Sequence, residues 1–192
     1  MQDRLLYHRL LWRPGNWLHS EWWRSLGLEA WQPKYPHMPL SAQRVLDLVI
    51  QRRCDEQRTR VAVLELFSPL QEALLRSVTR LPSLLTALGL LQSQCPDYLC
   101  WRPYRQALAC TLTEQQLTQL WGMWRGGGRL PDVGPGEVAV FALRQGISVL
   151  DQELSDDPVW QIVRYILPVS RDDDVFFDRS AAALFLRLER FL

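Results

Sequence analysis

Signals that start and stop α-helices recur along this chain, and they constrain its fold more than any other feature. Ser68-Pro69-Leu70-Gln71 places a hydroxyl at a helix N-cap, proline at the first helical position, and a glutamine three residues past the cap. That arrangement satisfies two orphan backbone N–H groups reciprocally and predicts a helix start. Thr113-Glu114-Gln115-Gln116 repeats the pattern. Asp157-Pro158 predicts another start, and Ser41 and Asn16 read as further caps. Ser170 or Asp178 is expected to cap the last helix. Gly27 and Gly126-Gly127-Gly128 read as stops, and Pro82 and Pro168 as terminators.

Between these marks the apolar residues recur at helical spacing. Val140, Leu143, Ile147, Leu150 and Leu154 step by three and four. Ala42, Val45, Leu46, Val49 and Ile50 predict the buried face of a helix opening at Ser41, and Val61 to Phe67 reads as its continuation after a slight break. Leu70, Ala73, Leu74, Val78 and Leu81 form a third stripe, and Leu117, Leu120, Trp121 and Trp124 a fourth. Leu84, Leu85, Ala87, Leu88, Leu90 and Leu91 leave no polar face, which places that helix at the centre of the core. No stretch alternates with period two, so no sheet is expected. The expected fold is all-α: a compact irregular bundle of seven to nine helices.

Residues 1–192 read as a single helical domain with two irregular segments. Residues 1–40 are aromatic and proline-rich, and Pro33, Pro36 and Pro39 predict an extended, non-helical connector. Residues 126–136, rich in Gly and Pro, predict a linker between helical halves. The formal net charge is +1, with +4 over residues 1–96 (12 basic, 8 acidic) and −3 over 97–192 (10 and 13). A balance so near zero argues against a dedicated nucleic-acid binder, which needs clustered cations. No run reaches the roughly 18 apolar residues of a membrane span. The opening Met1-Gln2-Asp3-Arg4 is unlike a signal peptide. The cytosol is the expected location, without direct membrane insertion.

The search for chemistry finds no catalytic motif, and no cofactor is expected. Cys95, Cys100 and Cys110 lack the second tight pair of a zinc site, and Cys54 is remote, so buried free thiols are expected. His8, His19 and His37 accompany no nucleophile motif. Gly126-Gly127-Gly128 follows a helix rather than a strand, which fits a helix stop better than a phosphate cradle. Asp172-Asp173-Asp174 could ligate a hard cation, but acidic runs before helices more often serve the helix dipole.

The unusual composition is aromatic. Nine Trp residues occur, five of them within the first 31 positions. Trp and Arg dominate the energetic centres of protein interfaces. Trp12, Arg13, Pro14, Trp17, His19, Trp22, Trp23 and Arg24 are therefore the candidate protein-binding residues. The alternative is that several of them pack onto the bundle as an N-terminal lid; the two readings combine, with Trp22 or Trp23 expected in the core and Trp12 exposed.

Within that segment, Leu11-Trp12-Arg13-Pro14-Gly15-Asn16-Trp17-Leu18-His19 resembles the opening of the SctK family of bacterial type III secretion systems. Members begin with an aromatic residue, a proline two positions on, then an aromatic-Leu-His group. Trp12, Pro14, Trp17, Leu18 and His19 take those places here, with Trp where other members tend to carry Phe and Tyr. The resemblance implies a non-enzymatic cytoplasmic adaptor of the sorting platform, joining the inner-membrane ring protein SctD to the SctQ pods. Two other classes compete with it. A secretion chaperone or regulator holding one effector would usually be a small acidic α/β dimer. A helical enzyme or ligand carrier would need polar groups converging in a bundle cavity.

Overall fold

A computed structural model describes residues 2–55, 66–169 and 180–192. Among them lie eleven α-helices and no strand. In chain order they are α1 (Gln2–Trp12), α2 (Ser20–Ser25), α3 (Leu40–Asp55), α4 (Pro69–Arg76), α5 (Leu81–Gln92), α6 (Asp97–Cys100), α7 (Arg102–Leu108), α8 (Glu114–Met123), α9 (Val138–Glu153), α10 (Trp160–Val163) and α11 (Ala181–Phe191). The helix count exceeds expectation because α6 and α10 are single turns of four residues and α1 had no start signal. The all-α class is as read from the sequence.

Both capping boxes are present. Gln71 N–H donates to Ser68 Oγ at 3.2 Å while Ser68 N–H donates to Gln71 Oε1 at 2.9 Å. Gln116 N–H and Thr113 Oγ1 are likewise 3.2 Å apart, and Thr113 N–H reaches Gln116 Oε1 at 2.8 Å. Asp157 Oδ1 accepts from the N–H groups of Val159 and Trp160, each at 2.9 Å. Other boundaries moved. Asn16 closes a 3-10 turn (Pro14–Asn16), and His19 caps α2 by accepting from Glu21 N–H at 3.3 Å. Pro82 opens α5 instead of ending α4, because a proline in the first turn forfeits no intrahelical bond. The proline-rich connector is not extended: its backbone coils into 3-10 turns at Glu29–Trp31 and Tyr35–His37. The caps expected at Ser170 or Asp178, and the stretch from Val61 to Glu65, lie outside the described residues. α11 itself is capped by Ser180, whose Oγ accepts from Ala183 N–H at 3.2 Å.

The described chain forms two compact units, each discontinuous in sequence. The first comprises Met1–Val78 and Leu154–Val169, the second Thr79–Glu153 and Ser170–Leu192. The core of the first gathers Leu18, Trp22, Trp23, Leu26, Leu28, Tyr35, Leu46, Ile50, Cys54 and Tyr165. Here α3 is turned from the predicted face. Gln43, Leu46, Asp47, Ile50 and Cys54 point inward, while Val45 and Leu48 stand 63% and 59% exposed. Polar partners for Gln43 and Asp47, invisible to an apolar count, explain the rotation.

In the second unit α5 packs along α9. Leu81, Leu84, Leu85, Ala87, Leu88 and Leu90 are all buried, as a helix without a polar face requires. α9 meets it through small residues, Ala142 and Gly146, so Val140 of the predicted stripe is left exposed. A Cβ on Gly146 would lie 2.0 Å from the Leu85 carbonyl oxygen, and one on Gly89 1.9 Å from that of Ala142. The segment 126–136 lies wholly inside this unit and is tied down rather than free. Arg129 N–H donates to Gln94 O at 3.2 Å, Asp132 N–H to Tyr98 Oη at 2.8 Å, and Tyr104 Oη–H to Val133 O at 2.9 Å.

All four cysteines are free thiols. Cys54 and Cys95 are buried, but Cys100 and Cys110 are exposed, contrary to the reading of all four as core residues. Cys100 ends the short α6 and Cys110 follows α7, positions where chain ends face outward.

Candidate functional site

The eight candidate binding residues divide by depth. Trp12 is 61% exposed at the end of α1, and Trp17 is 38% exposed just beyond the first 3-10 turn. Leu5, seven residues before Trp12 on the same helix, is exposed as well, and so is Trp31. Trp22 and Trp23, by contrast, are 4% and 2% exposed. Both are core residues, and a partner cannot reach them in this fold. Trp22 donates its indole N–H to Leu167 O at 2.9 Å, packs on Tyr165 with centroids 4.6 Å apart, and lies 5.4 Å from the Arg164 guanidinium. Trp23 sits 5.7 Å from the Tyr35 ring. The doublet falls inside because consecutive positions on this short helix both find aromatic partners, Tyr165 for Trp22 and Tyr35 for Trp23.

The remaining candidates are scaffold or rim. Arg24 is exposed and pairs with Glu29 at 3.4 Å, a solvent-facing contact of little energetic weight. Pro14 opens the first 3-10 turn, and His19 caps α2. Arg13 is half-buried and donates to Gln43 Oε1 at 3.3 Å. Gln43 in turn donates to the Tyr35 carbonyl at 3.0 Å.

At the centre of this brace is Asp47, which the sequence reading missed. Its Oδ1 accepts from Gly15 N–H at 3.0 Å and from Tyr35 Oη–H at 2.9 Å. One carboxylate therefore joins α3, the turn that carries Trp17, and the proline-rich segment. Burial pushes its pKa above the usual carboxylate value; the bonds from Gly15 and Tyr35 and the Arg13 charge oppose that rise. The Tyr35 hydroxyl is pushed up too, first by burial and then by Asp47. Gly15 is required here: a Cβ would fall 2.5 Å from the Tyr35 ring. An acidic residue inside an otherwise apolar helix run was the available signal, and it is only legible once its partners are known.

Neither unit offers a cluster of three His, Cys, Asp or Glu side chains among the described residues. The Asp172–Asp174 run lies outside them. The crevice beside Pro14 and Trp17 measures about 20 Å³, room for a water at most. A cleft of about 320 Å³ lies in the second unit, and neither His19 nor His37 lines it.

These features define a helical protein of two compact units, the first carrying exposed tryptophans on a scaffold braced from within. The family model for type III secretion system subunits matches residues 5–169, and the chain belongs to that family. No curated protein and no solved structure matches it. Among the described residues no single helix is long and apolar enough to cross a membrane.

Proposed function

We propose that this secretion-system subunit is a non-enzymatic cytoplasmic adaptor of the SctK kind, which links the cytoplasmic domain of SctD to the SctQ pods. The observation that carries the reading is the exposure of Trp12, at the end of α1, and of Trp17, beside the turn fixed by Asp47, Gly15 and Tyr35. Large rigid aromatics bind at low entropic cost when their backbone is already ordered. Trp12 and Trp17 are the docking residues, while Trp22, Trp23, Arg13 and His19 hold them in place.

Trp12→Ala should leave thermal unfolding of the chain within about 0.5 kcal/mol of the parent, as exposed positions do. Adding Trp17→Ala, whose ring is 38% exposed, should lower stability by about 1–3 kcal/mol without unfolding the chain. Affinity for one of the two partners, measured by titration calorimetry with the purified SctD domain and SctQ, should fall roughly 30-fold or more, the scale of an interface hot spot. If the unmodified chain binds neither partner, the adaptor reading is wrong.

A further inference from the structure

The cleft in the second unit is an opening with a defined chemistry. Its apolar wall is made by Leu91 of α5, Trp124 at the end of α8 and Leu184 of α11, and Arg125 and Arg187 stand at its exposed edge. No acidic side chain among the described residues lines it. Neither arginine has an ion-pair partner among the described residues, unlike Arg105, which is paired with Glu114 in the same unit. The wall residue Gln92 has its amide nitrogen buried, with no hydrogen-bond partner among the described residues.

We infer that this cleft is a second docking site, and that its occupant is a short acidic-apolar segment of a partner protein. An aliphatic or aromatic side chain would rest on Trp124 and Leu184, and a neighbouring carboxylate would meet Arg125 and Arg187. Arginine suits that role because its planar fork takes a carboxylate in two parallel bonds. The volume sits at the low end of ligand pockets, which span roughly 300–1,000 Å³. It admits a side chain or two and not a folded surface. That the occupant is a protein rests on the adaptor reading; the preference for an acidic and apolar ligand rests on the cleft alone.

The probe is a fluorescein-labelled peptide alternating aspartate with phenylalanine and leucine, set against a counterpart with lysine for aspartate. Fluorescence polarisation with the full chain should show saturable binding of the acidic peptide, weakening with salt, and none of the basic one. Arg125→Glu with Arg187→Glu should lower affinity by about tenfold or more while the melting temperature stays unchanged. Trp12→Ala should leave peptide binding intact. Equal binding of both peptides, no saturable binding, or indifference to the double arginine change overturns the proposal. Loss of SctD and SctQ binding alongside intact peptide binding would overturn only the adaptor reading.

Discussion

Gly146→Ala should strongly destabilise the second unit, and Gly89→Ala should do the same, while Gly122→Ala raises stability. All three changes replace glycine inside a helix, so each gains about 0.5–1 kcal/mol of helix propensity. Surroundings decide the sign. At Gly122 a Cβ meets nothing within 4 Å, and the propensity gain stands alone. At Gly146 it would fall 2.0 Å from a backbone oxygen of α5, against an ordinary carbon contact of roughly 3.5–4.0 Å. Backbone cannot swing aside as a flexible side chain can. The helices must part, and Leu85, Leu88, Ile147 and Leu150, all buried beside the contact, lose their packing together. Overpacking of this kind costs about 3 kcal/mol or more, which outweighs the propensity gain. That is a large share of the 5–15 kcal/mol that a domain commonly has. Urea titration followed by circular dichroism measures all three. A Gly146→Ala protein as stable as its parent would disprove the close approach of α5 and α9.

Asp47→Ala should cost about 2–4 kcal/mol, and Asp47→Asn far less. The alanine change strands two donors, the Gly15 N–H and the Tyr35 hydroxyl, and each buried donor without a partner costs roughly 1–3 kcal/mol. Asparagine keeps an oxygen at the Oδ1 position, which accepts both bonds, and it sheds the charge that burial opposes. The pH dependence follows from the direction of the shift. A carboxyl whose pKa is higher in the folded protein than in the unfolded chain favours folding in its protonated form. Its contribution is greatest below the ordinary value of about 4. It declines as pH rises from there through the higher folded value, and is constant above it. Stability curves of parent and Asp47→Asn measured across this window should differ in slope inside it and run parallel above it. Identical slopes throughout would show that Asp47 is not buried as described.

What could be read in advance was whatever local chemistry enforces. Ser68 with Gln71, Thr113 with Gln116, and Asp157 with its following N–H groups bond to their own neighbours, so a few letters contain the whole interaction. The burial of α5 was legible for a different reason, since a helix with no polar face has only one place to go. The face of α3 was not. Gln43 and Asp47 look like solvent residues until Tyr35, Gly15 and Arg13, distant in sequence, arrive as partners. Gly89 and Gly146 carry the same lesson. A glycine within a helical pattern reads as a weak point, yet here the missing Cβ permits the contact between helices. Trp22 and Trp23 were grouped with Trp12 and Trp17 because composition records that tryptophan is present but not which way it faces.

The discontinuity of the first unit has a consequence for how the protein is made. His19 N–H donates to Tyr165 O, and the Trp22 indole N–H to Leu167 O. A ribosome delivers residues 19–22 long before their acceptors, and the Thr79–Glu153 part of the second unit is synthesised in between. Domains usually fold in order of emergence, N-terminal first. In this chain Trp22 must wait for its partners until residues 154–169 follow. A nascent chain halted before Leu154 therefore presents Trp22 without its Tyr165 and Leu167 partners, and the span between the two parts of the unit is the interval in which a chaperone would be useful.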